Sequence, residues 1–567
     1  MRSQQIAPPP SHTRQVVTVS SRSLTLAALA TASALLLAGC TAGGEAEEPQ
    51  AAGTPVEGGT LTYATGFGEA TCLDPHVGGN MPQALVGTNV LESLFSQDEN
   101  GEIVPWLATG STVSDDGLTV DVALRSDVTF TDGTPFDAEA VVANIEHMKD
   151  PDTASSTAIL ALGKVASVQA VDAQTARFTL SEPDSALQES LAQTWLAMES
   201  PAGLARGMDE NCAAPIGTGP FVFSEWVKQD HVTLTRNDDY ASAPAGAAHD
   251  GPAYLDEIVW RFIPDPATRF AALQSGEVDV IDEMQPDNVV AATAEGSGFG
   301  VLTGALPGAS IRLELNSGYA PFDDERVRKA FIKAADVNPG IESLFFGTVD
   351  RSYSVLSSST PYGASFESEY TVDADEANRL LDEAGWTSRD AEGYRVKDGQ
   401  RLTVDFPVST NQSIPAEVSL FEQIQATTKA VGFDVELHPL DLSSWYAALG
   451  SWDFGVTSAI YTKNSPDVLR ILYHSDNIQP APSGYHPNHS HVSIPELDAA
   501  LTEAGETSDP EKRAELYEEA QRILAEGAYV LPLYDHLQKI GYSDRVQGLS
   551  LLPTLQIPYF GDTWMAG

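Results

Sequence analysis

Leu37-Ala38-Gly39-Cys40 fixes where the folded part of this chain can begin. These residues close an apolar run, Leu24 to Ala38, that follows a stretch carrying Arg2, Arg14 and Arg22 and no acidic residue before Glu45. A basic start, a short apolar core and a small-residue cleavage site make a secretory signal. A cysteine directly after Leu-Ala-Gly marks the bacterial lipoprotein form, in which the thiol is acylated and becomes the new N-terminus. The run is also shorter than the roughly 20 residues a membrane span requires. Residues 1–39 are therefore expected to be removed, leaving Cys40 as a lipid anchor on the outer face of a membrane. The alternative is a plain cleaved signal with an incidental cysteine.

The chain beyond the signal is long for one hydrophobic core, so two or three lobes are expected. Hydrophobic content of 42% and eight tryptophans belong to a folded globular chain. The formal net charge is −49, and no basic stripe is present to track a phosphate backbone. Nucleic acid is thereby disfavoured as a partner. With Cys40 assigned to lipid, Cys72 and Cys212 remain in an oxidising compartment, where they are expected to pair; the alternative is two buried free thiols.

Residues 41–56 are Ala, Gly, Glu and Pro without an apolar period, so residues 40–56 form a tether spanning at most about 55 Å. Ordered sequence begins with a strand at residues 60–64. Leu118, Val120, Val122 and Leu124 alternate with polar residues as a half-buried strand does, and so do Ile258, Trp260 and Phe262. Phe136, Ala140, Val141, Ile145 and Met148 recur at helical spacing, up to a stop at Asp150-Pro151. In the second half, Asp323 or Asp324 caps a helix with Val327, Ala330 and Phe331 inward. Asp373 and Glu376 resemble a capping box, and strands at residues 402–406 and 433–437 flank a helix over 417–430. A last long helix starts at Asp509-Pro510 and stops at Gly527. Strands alternating with helices throughout predict α/β lobes.

Catalytic signatures are missing: there is no P-loop, no His-Glu-x-x-His and no Gly-x-Ser-x-Gly. His474, His486, His489 and His491 cluster in a loop-like stretch, and imidazole is a common ligand for zinc, nickel and copper. His486, His489 and His491 are thus weak metal candidates, against the alternative of a polar surface loop. Trp445, Tyr446, Trp452, Phe454, Tyr461 and Tyr473 supply aromatics suited to a ligand cleft or to a core.

A series of ordered motifs resembles the family 5 extracellular solute-binding proteins, the peptide/nickel receptors of ABC importers. Gly58-Gly59-Thr60-Leu61 and Leu73-Asp74-Pro75-His76 resemble the family's opening, and residues 104–108 and 124–136 its signature block. Residues 216–221 (Ile-Gly-Thr-Gly-Pro-Phe), 273–279 (Leu-Gln-Ser-Gly-Glu-Val-Asp) and 321–330 come next, in order. The resemblance implies an α/β, two-lobed periplasmic-binding-protein-like (type II) fold. Lobe I would span residues 57–310, with an inserted subdomain over about 89–214. Lobe II would span 311–530, and residues 531–567 would return to lobe I. The implied function is a non-enzymatic, cofactor-free receptor that closes on an oligopeptide or similar polar solute and delivers it to a membrane permease. It would act as a monomer, outside the cytoplasm and lipid-anchored to the cell membrane. A metal-chelate receptor is the alternative, and a secreted hydrolase a third reading that the missing motifs disfavour.

The ligand-facing residues implied are Thr65, Gly66 and Phe67 from lobe I, with Trp452, Tyr461, Thr462, Lys463, Asn464 and Asp467 from lobe II. Thr462 stands where peptide-binding relatives place an aspartate for the peptide ammonium. A buried ammonium needs a carboxylate partner, so the sequence predicts a ligand recognised without a free amine.

Overall fold

Alternation of apolar and polar residues, with turn residues between, builds the central layer of the first lobe. The computed structural model describes residues 53–99, 101–480 and 484–567; the expected signal, Cys40 and most of the expected tether lie outside them. Thr60–Thr65 pairs in parallel with Glu257–Phe262 on one side and Val280–Ile281 on the other. The seven-stranded sheet runs Phe299–Ala305, Leu537–Ser543, Val280–Ile281, Thr60–Thr65, Glu257–Phe262, His231–Arg236, Phe221–Val227. Leu61, Tyr63, Ile258 and Trp260 are fully buried beneath it, with the Tyr63 and Trp260 rings stacked 3.9 Å apart. A separate four-stranded antiparallel sheet, Ala108–Val113, Thr119–Leu124, Thr175–Leu180 and Val165–Asp172, packs on the helix Ala138–Lys149. Val120, Val122 and Leu124 face inward as their alternation predicts.

The second lobe has its own core around Leu313, Phe331, Phe406, Phe421 and Leu531. Its strands are Val456–Thr462, Gly308–Leu315 and Val530–Tyr534 in one sheet, and the parallel pair Thr403–Ser409 and Asp434–Leu440 in another. Asp324 caps Glu325–Ala334 through the Arg326 N–H, and Asp373 caps Ala374–Glu383 through the Glu376 N–H. The Glu376 side chain pairs with Arg379 instead of closing the expected box. Asp509 accepts from two backbone N–H groups at the head of Pro510–Glu526.

The chain passes between lobes twice. Leu306 and Pro307 join Phe299–Ala305 to Gly308–Leu315, and Asp535 and His536 join Val530–Tyr534 to Leu537–Ser543. Two adjacent crossings form a hinge about which the lobes can rotate without breaking either sheet.

Cys72 and Cys212 form a disulfide. It ties the loop after Thr60–Thr65 to the helix Met208–Ala213, beside a Leu73 N–H to Cys212 carbonyl bond of 2.8 Å. The bond spans a sequence separation of 140 residues. By loop-closure entropy, the Cys72→Ser/Cys212→Ser double variant should lose about 2–5 kcal/mol of unfolding free energy. Urea unfolding of both proteins measures this, and an unchanged midpoint would refute it.

Candidate functional site

The first-lobe wall of the site is organised by one buried arginine. Asp265, Pro266 at the first turn and Gly276 at the end (φ 74°) define the helix Pro266–Ser275, which carries Arg269. The Arg269 guanidinium donates to the carbonyls of Ile263, Pro264, Asp282 and Glu283 at 2.7–3.0 Å. Its head lies so close to Gly66 that a Cβ there would sit 2.5 Å from Nη2, so only glycine fits. Asp282 in turn accepts from the Gly66 N–H and the Thr65 hydroxyl, both at 2.6 Å.

Between the lobes lies a cavity of about 1380 Å³. Gly66, Phe67, Tyr461 and Thr462 line it, as do Tyr446 and residues 410–415 from the second lobe. Its charged lining is Glu69, Arg269, Glu283, Glu417 and Lys539. Glu283 adopts a left-handed backbone (φ 49°), a conformation an L-residue other than glycine rarely holds. Burial, and then the neighbouring Asp282, push its carboxyl up to about 8. Glu417 accepts from the Tyr534 hydroxyl (2.5 Å) and the Ile414 N–H (2.9 Å), and burial raises its carboxyl to about 6. Lys539 is brought down to about 8 by burial, and His536 to about 4.

Several residues expected in the cleft lie elsewhere. Thr65 is 1% exposed and spends its hydroxyl on Asp282. Trp452 ends the helix Leu442–Ser451 and packs against Phe454, His486 and His491, behind the cavity lining. After Thr462 the chain leaves the cavity and enters a contact between lobes. The Asn464 side-chain amide donates to the Glu189 carbonyl (2.7 Å), the Asn464 main-chain carbonyl accepts from the Gln97 side chain (3.1 Å), and Ser465 bonds the Glu189 carboxylate. Arg513 stands 3.5 Å from the same carboxylate, and the Ser185 N–H reaches the Gly505 carbonyl at 3.0 Å. Lys463 is buried here, its ammonium lowered by burial. Asp467 is also buried, but its pairing with Arg470 at 2.8 Å outweighs burial and holds its carboxyl below the usual value. Asn464 and Ser465 thus fasten one lobe to the other, while Lys463, Asn464 and Asp467, expected to face the ligand, do not line the cavity.

The histidine-rich stretch divides. His486 and His489 line the cavity, whereas His474 turns back to accept from the Asp476 N–H and lies 3.4 Å from Thr502. His491 packs edge-on against Trp452 and beside Gly318. Among the described residues these histidines do not bring three donor atoms within 4.8 Å of one another. His489 is held by a buried network that the sequence did not disclose. Its Nδ1 donates to Glu314 at 2.8 Å, and Glu314 also receives Arg312 (2.6 Å) and the Tyr473 hydroxyl (3.1 Å). Burial opposes the charge on Glu314, but Arg312 wins and its carboxyl stays well below the ordinary value. Among the described residues the His489 Nε2 has no hydrogen-bond partner.

The carboxylate expected to face the ligand, Asp467, does not line the cavity; Glu283 and Glu417 do, from segments that no local motif marked. For Glu283, whose ordinary value is 4.5, the raised value means that the folded state favours the neutral acid. Its contribution to stability is complete below 4.5 and lost as pH rises through about 8. In ligand-free protein, Glu283→Gln should therefore be more stable than the parent at pH 8, on the order of 1 kcal/mol, and no less stable at pH 4. Thermal melts across that range read the difference; parallel pH profiles would contradict it.

A family model described as bacterial extracellular solute-binding proteins, family 5 Middle, matches residues 102–481. The glutathione-binding protein GsiB of Salmonella typhimurium is 29% identical over 492 residues, covering 85% of this chain and 90% of its own. NikA from Brucella suis, solved in complex with Fe(III)-EDTA, superposes with a TM-score of 0.76 at 26% identity, over 89% of this chain and 100% of its own. The DppA protein of Helicobacter pylori, solved with the peptide STSA, superposes at 0.75 with 24% identity, over 90% and 99%. The two-lobed architecture is thus the type II periplasmic-binding-protein fold. With more than half of its length matched by the family model, this chain belongs to the family 5 extracellular solute-binding proteins of ABC importers.

Proposed function

We propose that this protein captures a short peptide or a similar polar solute carrying a free amine, and presents it to a membrane permease by closure of its two lobes. The observation that carries the reading is the Glu283 carboxyl on the cavity wall, held by a left-handed backbone and by the Arg269 clamp, with no hydrogen-bond partner of its own among the described residues. A cationic amine would ionise it, replacing an unfavourable buried acid by a charge-assisted hydrogen bond. Glu417 supplies a second acceptor, while Phe67, Tyr446 and Tyr461 offer apolar area for side chains. The cavity, about 1380 Å³, exceeds the span typical of sites for a single small molecule, up to about 1,000 Å³. That size suits a ligand of several residues. Such a receptor needs no catalytic group, consistent with relatives that are named as binding proteins.

A metal-chelate ligand is the second reading, favoured by His489, whose Nδ1 is fixed on Glu314 so that a neutral ring leaves the Nε2 lone pair free. Native mass spectrometry and metal analysis of the purified protein separate the two. Calorimetry with matched free and N-acetylated peptides tests the first. Acetylation and Glu283→Gln should each weaken binding about tenfold or more, roughly 1.4 kcal/mol. Equal affinity for both peptides would instead indicate a ligand recognised without its amine.

The anchor proposed for Cys40 places the receptor outside the cytoplasm, tethered to the membrane face as a monomer. Among the described residues no helix is long and apolar enough to cross a membrane. Cys40→Ser should stop fatty-acid labelling and shift the protein from the membrane to the soluble fraction. A labelled, membrane-bound variant would end the proposal.

A further inference from the structure

The loop Leu73-Asp74-Pro75-His76, outside the cavity lining, assembles a second constellation that solute capture does not use. His76 is fully enclosed, and its Nε2 lies 2.8 Å from the Ala197 carbonyl. A carbonyl only accepts, so Nε2 carries the hydrogen and the neutral ring presents a bare lone pair at Nδ1. That atom faces Asp74 Oδ1 at 3.8 Å and Glu199 Oε1 at 3.7 Å, with all three side chains 0% exposed. Among the described residues neither His76 Nδ1 nor Glu199 Oε1 has a hydrogen-bond partner.

The outer oxygens of the two carboxylates, by contrast, are fully engaged. The Asn211 amide donates to Asp74 Oδ2 at 2.9 Å and to Glu199 Oε2 at 2.7 Å, and His147 Nε2 lies 2.9 Å from Asp74 Oδ2. The Asn211 amide is therefore spent on the far side; of the near-side atoms, Asp74 Oδ1 accepts the His76 N–H at 2.9 Å, and His76 Nδ1 and Glu199 Oε1 face one another unpartnered among the described residues. Unpartnered buried polar atoms are rare and call for an explanation. The separations of 3.7 and 3.8 Å from His76 Nδ1 are a few tenths of an ångström wider than the roughly 3.3–3.6 Å between tetrahedral ligands at about 2.0–2.2 Å, a gap that small side-chain rotations would close. The ligating atoms of Asp74, His76 and His147 all lie within 4.8 Å of one another, and His147, 16% exposed, gives a route inward.

We propose that Asp74, His76 and Glu199 form a structural site for a divalent first-row cation of the zinc class, with His147 as the fourth donor in the tautomer whose hydrogen sits on Nδ1, facing the Thr153 hydroxyl at 3.3 Å. Imidazole nitrogens with carboxylate oxygens are the donor set that such cations take. Asn211 is the outer contact that orients both carboxylates. The site would pin the opening loop to the helices Ala138–Lys149 and Met208–Ala213 beside the disulfide. It is distinct from the cleft histidines His486 and His489, which share none of these residues.

The test is zinc titration of the chelator-stripped mature protein, read by calorimetry, elemental analysis and melting temperature. One equivalent should bind and raise the melting temperature. His76→Ala should lose that equivalent, while His486→Ala/His489→Ala keeps it. Should His76→Ala fail to fold, His147→Gln, at the accessible edge, should weaken zinc at least tenfold. No zinc bound by the folded parent, with a proton shared between Asp74 and Glu199 satisfying the cluster, would overturn the proposal. So would an affinity that both first-lobe variants leave unchanged or that only the cleft variant removes.

Discussion

The Arg269 guanidinium, buried and spent on four backbone carbonyls, is the contact on which the first-lobe wall of the cleft depends. Burying a charge is tolerable only where its hydrogen-bonding capacity is filled, and carbonyl dipoles together with Asp282 3.9 Å away fill it here. The same contacts dictate a residue without a side chain at Gly66 and fix the turn that carries Glu283. Conservative replacement by lysine would not reproduce the arrangement, because a point-like ammonium cannot span four acceptors on two segments. In this sense the recognition surface is a by-product of how one helix is docked.

Across the cavity a second buried pair, Arg312 and Glu314, has the corresponding role in the other lobe. It lies on the strand Gly308–Leu315, immediately beyond the first crossing, and fixes both Tyr473 and His489. Each lobe thus brings a charge-stabilised wall, joined to the other by the two short crossings and by the contact around Glu189. A ligand that joins the walls, together with the Glu189 contact, shifts the population toward the closed form.

Local pattern made much of the scaffold legible. The alternation of Leu118 to Leu124, the helical spacing of Phe136 to Met148, and the caps at Asp324, Asp373 and Asp509 each rest on interactions a few residues apart. The cleft was less legible for a physical reason. Glu283, Glu417 and Lys539 come from segments more than a hundred residues apart and meet only when both lobes are assembled. The run from Lys463 to Asp467 carries polar side chains suited equally to a ligand and to a neighbouring lobe, and composition cannot tell these apart. A run containing Thr462 at the cavity and Asn464 in the inter-lobe contact turns on a change of direction that the sequence does not encode locally. The Asp74–His76–Glu199 cluster was likewise invisible, since Glu199 is far along the chain from the loop that carries the other two.

The position of Leu537–Ser543 has a consequence for how the protein reaches its fold. This late strand lies inside the seven-stranded sheet, between Phe299–Ala305 and Val280–Ile281. Until it is in place, both neighbours present open edges, the kind of surface that invites pairing with other chains. An N-terminal lobe is ordinarily the first to fold as a chain emerges. Here the first lobe is the last to be completed, and it waits for a segment on the far side of the whole second lobe. The slow, long-range closure that this demands keeps the first lobe incomplete until the chain has emerged past the second, the state in which a polypeptide can still be threaded across a membrane.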